Sequence, residues 1–138
     1  MEAQFESIPR GDERVLLVDD EEAIAISLRI MLERLGYKVT ALTDGQEAWK
    51  IFSANPSEFD LVITDHVMPH LTGEDIASKI GRIRSDIPII MLTGGFYLTS
   101  SEEAMARGFR GFLLKPFAVK EVAGIVRRVL DQKEPRYM

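Results

Sequence analysis

VLLVDDEEA, residues 15–23, begins with four aliphatic residues in a row and turns acidic at Asp19 and Asp20. A short apolar run with no polar alternation reads as a strand covered on both faces. LVITD, residues 61–65, repeats the design and closes on Asp65. Each carboxylate sits where a buried strand gives out, which is where open α/β sheets keep their ligand sites.

Working outward, β-branched runs recur near 14–19, 37–42, 59–65, 87–92 and 110–114, separated by stretches of helical spacing. Five strand-helix units predict an α/β fold, with right-handed crossovers and a parallel sheet covered on both faces. The first, third and fourth runs are the most continuously apolar, so they are expected at the centre.

The first helix carries Glu21 and Glu22 in its first turn and Ile24, Leu28, Met31, Leu32 and Leu35 on one face, and stops at Gly36. The second starts near Asp44 and is expected to pack Ala48, Trp49 and Phe52. The third follows Thr72 with Ile76, Ile80 and Ile83 inward. The fourth is expected from a Ser100 cap, with Glu103 three residues on, to Gly108; the fifth runs from about Ala118 to Asp131, with Val122, Ile125, Val126 and Val129 inward. On the first helix Ile26 and Ile30 fall opposite the core stripe, where a solvated face would be polar.

The 138 residues suit one domain, and 46% apolar residues suffice for one core. Residues 1–13 read as a flexible polar stub, 14–131 as the domain and 132–138 as a polar tail. With 17 basic against 22 acidic residues and a net charge of −5, there is no basic cluster to track a phosphate backbone, so direct nucleic-acid binding is not expected. The absence of cysteine excludes disulfides and thiol chemistry. No apolar core of a signal peptide opens the chain, and no run approaches the ~18 residues of a membrane span. A cytoplasmic protein with no membrane association is the expectation.

Four strand ends carry chemistry: Asp19 and Asp20, then Asp65, then Thr93 before Gly94 and Gly95, then Lys115 before Pro116. Singly, each is an ordinary cap or turn residue. Together they put three repelling carboxylates near one ammonium and one hydroxyl. Raised pKa values, a basic side chain or a hard divalent cation would settle that repulsion. An aspartate beside such a cation can attack a phosphoryl group, so this set suits aspartyl-phosphate formation. His66 and His70 are four apart but have Pro69 between them, which argues against a helical metal pair.

The segments VLLVDDEEA, LVITDHVMPHLTG, IIMLTGG and FLLKPF resemble, in order and spacing, the receiver domain of two-component response regulators, over roughly residues 14–131. The resemblance implies a flavodoxin-like doubly wound sheet of order 2-1-3-4-5. It implies that Asp65 takes a phosphoryl group from a histidine kinase or a histidine phosphotransfer protein. Asp20 would bind Mg²⁺ directly and Asp19 chiefly through water, with Asp65 and the Val67 backbone carbonyl as further ligands. Lys115 would pair with Asp65 and then with the phosphoryl group, and Thr93 would donate its hydroxyl to it. Phe112 holds the switch-aromatic position, and the Lys115–Pro116 bond would be cis. Pro69 and Gly73 fit the loop after the phosphorylated strand. Thr93 and Phe112 would report phosphorylation to the surface of the fourth helix, fifth strand and fifth helix, a face compatible with homodimerisation. In the family the first helix meets the donor's helical bundle, so Ile26 and Ile30 are candidate docking residues.

Departures from the family matter too. Val67 and Gly95 stand where relatives often carry polar groups that orient water, which implies slow autodephosphorylation. Phe112 lacks a phenol hydroxyl. No outside substrate is implied, so the chain reads as a signalling domain and not a multi-turnover enzyme. A haloacid dehalogenase-type phosphatase would need an acid at position 67, where valine stands. A degenerate receiver acting only as a binding module is disfavoured by the complete set of chemical positions. A single-domain regulator and the receiver of a hybrid kinase both fit the length.

Overall fold

The computed structural model describes residues 8–94 and 108–132. Their elements are β1 (Arg14–Val18), α1 (Glu22–Arg34), β2 (Lys38–Leu42), α2 (Gly45–Ala54), a short 3-10 turn (Pro56–Glu58), β3 (Leu61–Asp65), α3 (Gly73–Ile83), β4 (Ile89–Thr93), β5 (Gly111–Leu114) and α4 (Val119–Asp131). The strands form one parallel sheet of order β2-β1-β3-β4-β5. The helix expected from Ser100 to Gly108 falls mostly outside the described residues.

Alternation along the strands divides the core. Val15, Leu17, Leu61, Ile63, Ile90 and Leu92 face one side, where Leu28 and Leu32 of α1 and Val122, Val126 and Val129 of α4 cover them. Leu16, Val18, Val62, Ile89 and Met91 face the other, beneath Phe52 of α2 and Ile76 and Ile80 of α3. Full burial on both faces explains why β1, β3 and β4 show no polar alternation. Each such aliphatic or aromatic side chain contributes about 1.5–3 kcal/mol when taken wholly from water.

Helix starts follow local chemistry. Asp44 accepts a hydrogen bond from the amide of Gln46 at the head of α2. Thr72 and Asp75 form a reciprocal capping box at α3, with distances of 3.0 and 3.1 Å.

Two expectations need correction. On α1 the buried residues are Ala25, Leu28, Leu32 and Leu35, with Met31 half-buried against the same core. Ile24 is only half-buried and, with Met31, Pro116 and Phe117, lines an apolar cleft of about 410 Å³. On α3, Ile83 is exposed, since the chain leaves the helix there in extended conformation at Arg84.

Residues 8–13, read from sequence as part of a flexible stub, are seated on the domain. Ile8 is buried, and Gly11 donates its amide to the Leu35 carbonyl at 3.1 Å. Arg127 of α4 reaches Glu13 at 2.8 Å, Asp131 at 2.9 Å and the Arg10 carbonyl at 3.1 Å. Gly36 needs its positive φ of 107° to turn the chain after α1, and a side chain there would strike the Gly11 carbonyl.

Ile26 and Ile30 do lie on the exposed side of α1. No helix among the described residues is long and apolar enough to cross a membrane.

Candidate functional site

Parallel pairing of β1 with β3 and of β3 with β4 brings three strand ends side by side, and β5 adds the fourth next to β4. Asp20, Glu21, Asp65, His66, Val67, Thr93, Gly94 and Lys115 line an open cleft of about 690 Å³ at that edge. The main chain fixes their positions. The Asp19 amide donates to the Leu42 carbonyl, that of His66 to Leu92, and that of Lys115 to the Thr93 carbonyl at 2.9 Å.

Asp19 is fully buried, Asp65 and Thr93 are nearly so, and Asp20 is exposed. One oxygen from each of the three aspartates lies within 4.8 Å of the others. Among the described residues no other group of acidic or imidazole side chains meets in this way. His66 stands 3.9 Å from Glu74 and His70 is exposed in the loop, so the histidines form no such group.

Lys115 answers the negative charge. Its Nζ is 3.0 Å from Asp65 Oδ1, 3.1 Å from Asp19 Oδ2 and 3.5 Å from Glu21 Oε1. Burial pushes the Asp65 carboxyl above the usual range, Lys115 draws it back, and the Asp19 charge raises it further. Burial also raises Asp19, against the pull of the Glu21 amide and of Lys115. Asp20 is raised by burial and by its contact with Asp65. For Lys115 burial opposes the charged form, yet Asp65 and Asp19 together outweigh it and raise its pKa.

The donor set fits a hard divalent cation. All three side chains offer carboxylate oxygen, and Asp19 Oδ2 is buried with no hydrogen-bond donor although Lys115 is close. Asp19 Oδ1 is committed to the amide of Glu21 at 2.9 Å.

The loop after β3 is held tightly. Gly73 donates its amide to the His66 carbonyl at 2.9 Å, and a methyl at Gly73 would run into the Asp65 carbonyl oxygen. His70 adopts a positive φ of 72°, with the Leu71 amide on the Pro69 carbonyl. The peptide bond between Lys115 and Pro116 is cis.

The remaining candidates are placed as follows. Val67 is exposed at the cleft rim. Phe112 is half-buried beside Phe109, their ring centroids 6.1 Å apart. Gly95 lies outside the described residues. In the sequence Glu21 reads only as a first-turn acid. Its reach to Lys115 depends on how α1 follows β1, and no local signal in the sequence marks it.

The model of the response regulator receiver domain matches residues 15–127. Over 121 residues the chain is 35% identical to the DNA-binding transcriptional regulator NtrC of Azospirillum brasilense, covering 88% of this chain and 25% of that protein. The chain spans half or less of the length of the first curated relatives it matches, as with the 50% of PhoP from Bacillus subtilis. A response regulator receiver domain protein from Clostridium thermocellum superposes with a TM-score of 0.81 at 31% identity, covering 88% of this chain and 96% of that one. The receiver domain of a sensor histidine kinase from Pseudomonas aeruginosa, solved with a magnesium ion coordinated in its active-site cleft, gives a TM-score of 0.75 at 29% identity, covering 88% of this chain and 99% of that one.

Proposed function

From the premise that this chain belongs to the response regulator receiver family of two-component systems, we propose that Asp65 is its phosphoacceptor, with Lys115, Thr93, Asp19 and Asp20 as the supporting residues. The observation that carries this reading is the Asp65 Oδ1 to Lys115 Nζ contact of 3.0 Å in a cleft lined also by Asp20 and Thr93, with Asp19 buried beside it.

A carboxylate oxygen of Asp65 attacks the phosphorus of a phosphohistidine donor. The P–N bond breaks, and the imidazole nitrogen leaves with the bonding pair and takes up a proton. The product is an acyl phosphate on Asp65. Lys115 balances charge on the phosphoryl oxygens, and the Thr93 hydroxyl, at the end of β4, would donate to one of them. Asp19, Asp20, Asp65 and the Val67 carbonyl would hold Mg²⁺, which when bound supplies positive charge against the same oxygens. The composition of the pocket supports this: three carboxylates meet beside one ammonium, and burial, the main cause of their raised pKa values, adds to the need for a further positive charge.

Phosphorylation adds roughly 1.5–2 negative charges at the end of β3. Thr93 and Phe112, on β4 and β5, are the residues through which that change would reach the outer face of β5 and α4. Val67 offers no hydrogen bond to an attacking water, which supports slow loss of the phosphoryl group. The donor is a histidine kinase or histidine phosphotransfer protein, with Ile26 and Ile30 on α1 as docking residues.

Incubation with acetyl phosphate and Mg²⁺, read by retardation on a phosphate-binding gel, tests the reading. The chain should be labelled, the label should be removed by hydroxylamine as an acyl phosphate is, and chelation of Mg²⁺ should prevent it. Labelling that ignores chelation would refute the cation's role.

A further inference from the structure

A lysine ammonium has three N–H bonds, and three carboxylates surround that of Lys115. Asp65 Oδ1 takes one at 3.0 Å and Glu21 Oε1 takes another at 3.5 Å. Asp19 Oδ2 is 3.1 Å from the nitrogen but lies off the direction of a hydrogen bond. Asp65 and Glu21 therefore hold two of the three N–H bonds, while Asp19 faces the ammonium as a close charge. The Glu21 side chain is 64% exposed, so its contact competes with water and is the weakest of the three. The backbone beneath it is fixed, because the Glu21 amide is held by Asp19 Oδ1 at 2.9 Å.

We propose that Glu21 is a positioning residue for Lys115, occupying in the unphosphorylated protein the N–H that a phosphoryl oxygen on Asp65 takes over. This rests on Asp65 being the phosphoacceptor and identifies the contact that gives way when the group arrives. A phosphoryl group brings new acceptor oxygens into a cleft where the ammonium is already engaged. The Asp65 contact is part-buried and Asp19 is wholly buried, whereas the Glu21 carboxylate is 64% exposed and is the one most readily released into solvent. Glu21 thus holds one N–H of the ammonium before transfer and competes for it with the incoming phosphoryl group, which gains it only when the glutamate lets go.

The test compares Glu21→Gln and Glu21→Ala with Glu22→Gln. Glu22 is also exposed and removes the same charge, but it borders a different groove with Ile26 and Glu47. Labelling by acetyl phosphate should be about two- to five-fold faster in both Glu21 variants, the size of an exposed ion pair, and the gain should shrink at high salt, which screens such a pair. Glu22→Gln should show no gain. In the unphosphorylated protein the Lys115 ¹⁵Nζ resonance should shift in Glu21→Gln and not in Glu22→Gln. Unchanged or slower labelling in the Glu21 variants, or an equal gain in Glu22→Gln, overturns the inference. If the wild type takes no label, the phosphoacceptor reading falls. The Lys115 resonance then still decides the pairing, and no shift in Glu21→Gln overturns it separately.

Discussion

The ammonium of Lys115, at the end of β5, stands 3.0 Å from Oδ1 of Asp65, at the end of β3, across fifty residues of sequence. β4 lies between the two strands, so the pair forms only if the whole sheet is in register. Around the pair, desolvation works against the carboxylates and Lys115 works for them, with desolvation the larger effect on Asp65.

That imbalance has a defined pH dependence. Asp19, Asp20 and Asp65 have folded-state pKa values above their ordinary ones, so their stabilising contribution is fully present below the ordinary aspartate value near 3.9 and is lost as pH rises through the folded values. At neutral pH their charges destabilise the fold. Asp19→Asn or Asp65→Asn should therefore raise Tm at neutral pH by a few degrees, which is what about 1 kcal/mol gives in a chain of this length. The gain should shrink as pH falls toward the ordinary aspartate range. Thermal scans across that window check the sign, and a gain that grew on acidification would refute it.

Cation binding should relieve the same repulsion. At ten times its Kd, Mg²⁺ should stabilise the folded protein by about 1.4 kcal/mol, and chelation should reverse the effect. Asp20→Asn should lose most of this response, because it removes the most exposed of the three carboxylates. Equal shifts in wild type and Asp20→Asn, measured by calorimetry, would place the cation elsewhere.

Gly73 is set by contact with the acceptor's own backbone. A methyl there meets the Asp65 carbonyl oxygen, so Gly73→Ala must push α3 away from the end of β3. A loss of about 1–3 kcal/mol is expected, as for other overpacked sites, together with slower labelling at Asp65. Gly81→Ala, where the structure leaves open space, is the control and should be neutral or slightly stabilising.

Ile26 and Ile30 are 43% and 42% exposed, on the side of α1 away from the sheet. Ile26→Lys should slow transfer from a phosphorylated donor protein about tenfold, the effect of losing about 1.4 kcal/mol of contact, while labelling by acetyl phosphate stays unchanged. Equal loss with both donors would mean that the substitution damages the fold and not a docking face.

Much of this architecture was legible in the sequence because both faces of β1, β3 and β4 are buried, leaving unbroken apolar runs that end on the chemical residues. The cleft followed from topology: once the strands are parallel and adjacent, Asp19, Asp65, Thr93 and Lys115 must share an edge. Less legible were features set by tertiary packing. Ile24 fits a helical stripe as well as Ala25 does, and only the docked helix shows that Ala25 is the buried one of the two. Ile8 stands in a mostly polar stretch, and its burial in the core comes from long-range packing that no local pattern marks. The reach of Glu21 to Lys115 has the same origin, since it joins the head of α1 to the end of β5.

The most direct measurement is labelling of Asp65→Asn beside wild type, with acetyl phosphate and Mg²⁺, followed by intact-protein mass and peptide mapping. Wild type should gain one phosphoryl group, mapped to Asp65, while the variant keeps its fold by circular dichroism and gains none. A variant labelled like wild type, or a wild-type label mapped to another residue, would contradict the assignment of Asp65 as the phosphoacceptor.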